Sequence, residues 1–303
     1  MNKRYLQKTI AKEVHCSGIG VHSAKQVNLR VKPAPINHGI KFARVDLPNC
    51  PSVTARFNKV VDTSLATVIG EDGFIVSTIE HMMAALTGLA IDNALVLVDN
   101  YELPIMDGSA GPFARMLQSA GIQVQDAPRY FFVVQEPIEL EENGKFVGAY
   151  PAPHFRLTCT IEFDHCLIKT QTYDAIIEDD RFEEEIANAR TFGFRHEVEY
   201  MKQYGLGQGG SLDTAIIVDH DKILNPGGLR YEDEFVRHKL LDCIGDFSLL
   251  GLPIMAHIVT KRSGHAFNHA FLERFFQEKS AWQTQAFETS EAFERRPIKQ
   301  LAN

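Results

Sequence analysis

Short β-patterned segments followed by amphipathic helical ones occur twice in this chain, on either side of the polar, proline-containing stretch VQDAPRY at 124–130. Strands grouped ahead of helices argue for an α+β architecture. In the first half, β-branched residues alternate with polar ones from Gln7 to Val31 around GIGVH and stop at KPAP (32–35), as a hairpin does. Strand patterns follow at 39–45, 63–69 and 73–77, then a helix at 78–90, a strand at 93–99 and a helix at 111–121. The second half begins again with strands at 130–140, 145–151 and 155–163. Helical patterns come at 180–190, 195–204 and 232–250, with a strand at 214–219 between the last two, and the half closes on a strand at 254–264 and a helix at 265–277. A chain of 303 residues can bury two cores, so the reading is two α+β domains, each a sheet packed with helices, divided near Asp126 into 1–126 and 127–303.

Charge excludes some function classes. Thirty-one basic residues against 39 acidic ones give a net charge of −8 with no long Lys/Arg run, which disfavours a generic nucleic-acid or anionic-membrane binder. Five cysteines without CxxC spacing fit reduced thiols, and a cytoplasmic protein is expected. The N-terminus has no continuous apolar core of a signal peptide, and no run of roughly 18 apolar residues offers a membrane span. A soluble protein with no stable membrane insertion is expected.

The most informative stretch is RYEDEFVRHKLLDCIGD, 230–246. Val236, Leu240, Cys243, Ile244 and Phe247 form an apolar arc at helical spacing. His238, Asp242 and Asp246 lie four apart on another stripe, shared with Phe235, Gly245 and Leu249, which suggests that the stripe faces a cleft rather than open water. A His/Asp pair at this spacing is most often a surface hydrogen bond; as a metal site it lacks a third ligand. STIEHMMAAL supplies one in His81, with Glu80 beside it as a general base. Ser77–Glu80 also reads as a capping box, in which the glutamate would bond back to the cap.

His81, His238 and Asp242 together make an N,N,O set with an open position, suited to Zn2+ and equally to Fe2+ as in two-histidine, one-carboxylate oxygenases. His265, after Gly264 at a strand-to-helix corner, could protonate a leaving amine, with Asp246 to orient and charge it. ARTFGF offers Thr191 as an oxyanion donor and Phe192 as a stacking wall. GLGQGGS (205–211) lacks the ending of a phosphate loop and reads as a flexible turn. From these residues three classes stay open: a metal-dependent amidase, an iron oxygenase, and a non-catalytic lipid or nucleotide-sugar binder.

Taken together, SGIGVHS, KPAP, STIEHMMAALTGLAIDNALV, PIMDGSAGPF, ARTFGF, GGSLDTAIIVD, LRYEDEFVRHKLLDCIGD and SGHAFN resemble, in order, the motifs of the UDP-3-O-acyl-N-acetylglucosamine deacetylases of lipid A biosynthesis. The resemblance covers nearly the whole chain. It implies two domains of similar α+β topology stacked face to face, each with an insert, and a metal site at their junction. By the same resemblance His81, His238 and Asp242 hold zinc, Glu80 activates water, His265 paired with Asp246 is the acid, and Thr191 helps to bind the oxyanion. The substrate implied is a UDP-sugar bearing an acyl chain, cleaved at an early committed step of that pathway to the free amine and acetate. Lys239, Lys261 and Arg262 would meet its diphosphate, Phe163 its nucleobase and Phe192 its sugar, while an insert at about 194–220 would line an acyl passage. A monomer is expected. Ala66 departs from the family, whose members often carry cysteine there; the change removes a thiol but no ligand.

Overall fold

Strand 94–98, ALVLV, is the centre of the first half because its unbroken apolar run suits a position covered on both faces. It pairs antiparallel with 26–33 and parallel with 40–44, within a five-stranded sheet of order 14–19, 26–33, 94–98, 40–44, 52–54. Strand 26–33 shows the expected alternation, with Val27, Leu29 and Val31 inward and polar neighbours outward. A computed structural model describes residues 3–178 and 181–287. Residues 1–2 and 288–303 of the expected division, and residue 180 of the expected 180–190 helix, lie outside the described residues.

The second half is built on strand 254–261, which runs antiparallel to 145–151 and parallel to 155–162 and 130–134, in a seven-stranded sheet that also holds 138–142, 170–176 and 282–286. The helices are α1 (Glu80–Gly88), α2 (Gly111–Ser119), α3 (Arg195–Gln203), α4 (Glu234–Phe247) and α5 (His265–Gln277). The architecture is thus α+β, with several sheets packed with helices, as expected.

One continuous apolar cluster runs through both halves, from Ile10 to Ala281. At its middle α1 packs on α4, and α5 also packs on α4. Helix α1 is rich in Ala, Met and Leu, good helix formers with apolar bodies, and all its residues except Thr87 are buried. A helix buried all round needs close neighbours. Gly245 of α4 provides one, because the main chain of Glu80 occupies the space that a Cβ at 245 would need.

Several local expectations are corrected by the structure. Residues 122–128, within which the polar stretch read as a linker begins, form a strand antiparallel to 6–10. Strand 6–10 therefore leaves the expected hairpin, which spans 14–33. Strands 170–176 and 282–286 carried no recognised signal, and 182–186 is a single π-helical turn in place of a longer helix. The glycine-rich turn is docked rather than loose: Gly209 donates its N–H to the Val21 carbonyl (2.9 Å) and lies so close to Gly20 that no side chain fits. The five cysteines are free thiols, and no helix among the described residues is long and apolar enough to cross a membrane.

Candidate active site

The stripe on α4 is buried, with His238, Asp242 and Asp246 each under 5% exposed. Their i, i+4 spacing brings His238 Nε2 to 3.3 Å from Asp242 Oδ1. The packing of α1 on α4 brings in His81, whose Nε2 lies 3.5 Å from the same oxygen. One ligand atom from each residue falls within 4.8 Å of the others. The two imidazoles meet edge to face, centroids 5.0 Å apart.

The proton positions decide what this trio can hold. His238 Nδ1 lies 3.1 Å from the Ala189 carbonyl, which only accepts, so Nδ1 carries the hydrogen and the Nε2 lone pair points at Asp242. Burial pushes the His238 pKa down to about 3, assisted by His81 and Lys239 against the attraction of Asp242, so the ring is neutral. Burial opposes charge on Asp242, yet the Lys239 ammonium, with the His265 imidazolium adding to it, holds its carboxyl well below the usual range. Lys239 Nζ donates to Asp242 Oδ2 at 3.0 Å, leaving Oδ1 for the imidazoles. Lone pairs that converge in this way suit a cation. Donors about 2.0–2.1 Å from a tetrahedral ion lie about 3.3–3.4 Å apart, close to the two separations found here.

Beside the trio stands a second group. His265 Nδ1 donates to Asp246 Oδ2 at 2.9 Å, and its Nε2 lies 3.9 Å from Glu80 Oε1. Burial works against the His265 charge, but Asp246, with Glu80 and Asp242 adding to it, holds the imidazolium up to about 10. Burial also raises the Glu80 carboxyl, partly offset by His265 and His81. A buried carboxyl group and an imidazolium thus face each other across one small space.

The expected capping box does not form. Thr78 adopts a left-handed φ of 59°, so the helix begins only at Glu80, whose Oε2 instead accepts the Thr67 N–H at 3.1 Å. Phe192 is brought near the trio, its ring 6.4 Å from that of His238, with Lys239 Nζ 5.7 Å from its centroid. Phe163 packs one ring further out, 5.7 Å from Phe192. Thr191 leads into strand Phe192–Phe194, its main chain bonded to Gly108 and Ile216. Lys261 and Arg262 are exposed and pair with Glu162 at 2.9 and 3.9 Å.

Three supporting residues escaped the sequence reading. Glu234, fully buried, accepts the N–H and Nε of Arg190 at 2.9 and 2.8 Å and so anchors the segment whose Ala189 carbonyl orients His238. Asn268, one turn after His265, donates to Asp246 Oδ2 at 2.8 Å; its spacing was a legible signal. Thr67 carried none.

Two imidazoles and a carboxylate, with a second carboxyl group and an imidazolium beside them, are the groups that a hydrolytic metalloenzyme centre uses. The family model described as UDP-3-O-acyl N-acetylglycosamine deacetylase matches residues 7–277. A UDP-3-O-acyl-N-acetylglucosamine deacetylase of Myxococcus xanthus is 48% identical over 279 residues, covering 92% of this chain and 89% of the relative. Proteins of the same name from Anaeromyxobacter sp. (47% over 268 residues, 88% of each chain) and Syntrophus aciditrophicus (42% over 283 residues, 93% and 90%) are also similar. The chain belongs to the UDP-3-O-acyl-N-acetylglucosamine deacetylase family, a family of metalloenzymes.

Proposed function

We propose that this chain hydrolyses the acetamide of UDP-3-O-acyl-N-acetylglucosamine to UDP-3-O-acyl-glucosamine and acetate, at an early committed step of lipid A biosynthesis. The observation that carries this reading is the Glu80–His265 pair, 3.9 Å apart beside the two-histidine, one-carboxylate trio. A hydrolase needs both groups, whereas an oxygenase built on the same trio uses neither.

His81, His238 and Asp242 would hold Zn2+, with Fe2+ accepted by the same donors. When bound, the ion polarises the acetamide carbonyl and acidifies water. Glu80 takes the proton of the attacking water, and the Thr191 hydroxyl donates to the developing oxyanion. His265 gives the proton on Nε2 to the departing amine, while Asp246 on Nδ1 fixes the ring and its charge. Phe192 walls the sugar and Phe163 stacks on the nucleobase, an assignment supported by their adjacency. Lys239 and Arg262 take the anionic diphosphate.

In this reading the site lies at the junction of two domains of similar topology, 1–126 and 127–303, with an insert at about 194–220 lining an acyl passage. The protein acts as a cytoplasmic monomer, with no nucleic-acid partner and no membrane insertion; the net charge supports the absence of a nucleic-acid partner, and the free thiols support the compartment.

The test is anaerobic acetate release from the UDP-sugar substrate, using protein stripped with chelator and then resupplied with zinc. Recovery of release upholds the reading. Turnover that requires O₂ would leave an oxygenase, and substrate binding without release under any metal would leave a binding protein.

A further inference from the structure

Glu80 and the Asp246–His265 pair sit on different helices, yet hydrolysis needs a fixed distance between them. One residue touches all three. Thr67, 2% exposed, precedes strand 68–71. Its N–H donates to Glu80 Oε2 at 3.1 Å, and its carbonyl accepts the Ile79 N–H at 3.3 Å. These two bonds pin the Thr67 main chain to the start of α1.

The side chain reaches the other way. Thr67 Oγ1 donates to Asp246 Oδ1 at 2.6 Å and lies 3.3 Å from His265 Nδ1. Asp246 as a carboxylate only accepts, so the hydroxyl hydrogen goes to it and an oxygen lone pair is left facing the His265 Nδ1–H. Oδ2 of Asp246 takes His265 and Asn268 at 2.9 and 2.8 Å. Asp246 is thereby held on both oxygens, and of these three contacts the one on Oδ1 comes from the first half of the chain.

We infer that Thr67 is a positioning residue for the hydrolysis, tying the base Glu80 to the acid pair Asp246–His265 through its backbone on one side and its hydroxyl on the other. The inference rests on the deacetylase reading above. It distinguishes Thr67 from a buried threonine whose hydroxyl is merely satisfied, because its effect runs through Asp246.

The experiment is a double-mutant cycle on acetate release, with the zinc-loaded wild type, Thr67→Val, Thr67→Ser, Asp246→Asn and Thr67→Val/Asp246→Asn. Thr67→Val keeps the shape and removes the hydroxyl; it should lower kcat about 10- to 100-fold, the range for an outer supporting group, with KM within about twofold. Thr67→Ser restores the hydroxyl and should recover most of kcat. In the Asp246→Asn background Thr67→Val should cost less than about twofold, since neighbours in one network are not additive. The inference is overturned if Thr67→Val leaves kcat unchanged, if Thr67→Ser is no better than Thr67→Val, or if the valine costs the same factor in both backgrounds. Thermal midpoints and zinc content monitor folding, and if the valine variant does not fold the cycle is run with Thr67→Ala. A wild type that releases no acetate strikes the deacetylase reading itself; an active wild type with an equally active Thr67→Val strikes only this inference.

Discussion

Gly245 of α4 lies against the main chain of Glu80, so that the helix carrying the proposed base and the helix carrying two metal-ligand candidates meet there with no side chain between them. Gly245→Ala must push α1 away, because backbone cannot give as a flexible side chain can. A loss of about 1–3 kcal/mol is expected from overpacking, together with weaker zinc retention as His81 moves off Asp242. Urea midpoints and zinc content after dialysis measure both; values equal to wild type would mean that α1 has room.

Glu234→Ala strips the partner from the buried guanidinium of Arg190. Removing one member of a buried pair costs about 3–5 kcal/mol, and the Ala189 carbonyl that orients His238 loses its anchor. The variant should unfold at a clearly lower denaturant concentration, which equilibrium unfolding followed by circular dichroism would register. A midpoint unmoved within error contradicts the anchoring role.

Asp242→Ala removes the one oxygen donor shared by both imidazoles and leaves Lys239 without its anion. Zinc content should fall to background, measured by atomic absorption. In the wild type, chelation should lower the thermal midpoint and zinc should restore it, since a ligand bound only to the folded state stabilises by about 2.7 kcal/mol at a hundredfold excess over Kd. Full zinc content in Asp242→Ala would remove Asp242 from the ligand set.

Activity should follow a bell-shaped pH profile, because Glu80 must be ionised while His265 is protonated. Burial places the Glu80 limb above the ordinary carboxylate range, and Asp246 carries the His265 limb up towards about 10. Glu80→Gln should abolish the acidic limb and His265→Ala the basic one. In Asp246→Asn the basic limb should move to lower pH, because the imidazolium loses its main support. A profile that keeps its shape in these variants, even at lower height, would falsify the assignments.

The same pair sets a stability window. A histidine whose pKa is about 10 when folded and about 6.5 when unfolded retains a proton that the unfolded chain releases between those values. Its contribution is complete below about pH 6.5 and is lost as pH rises towards 10. Wild-type denaturation midpoints should therefore decline across that window more steeply than those of Asp246→Asn. Parallel curves would show that the pair does not stabilise the fold.

Much of the site was legible because its parts are local. The i, i+4 spacing of His238 and Asp242, the apolar arc from Val236 to Phe247 and the adjacency of Glu80 and His81 are properties of single helices. The capping box failed for an equally local reason: a left-handed Thr78 starts α1 too late for Glu80 to reach back. The polar stretch at 124–130 misled because its residues up to 128 follow an edge strand, where polar side chains and a terminal proline are tolerated.

The sequence by itself determined the α+β class, the helix stripe and the donor types that a metal could use, since periodicity and residue chemistry act over a few positions. Only the tertiary structure decided that His81 meets Asp242 at 3.5 Å, that Lys239 donates to the other oxygen of that carboxylate, and that Arg262 pairs with Glu162 at the surface. It alone revealed Thr67, whose hydroxyl reaches Asp246, 179 residues away in the chain. Such contacts depend on how α1 and α4 pack, and no spacing within either helix encodes the partner across the interface.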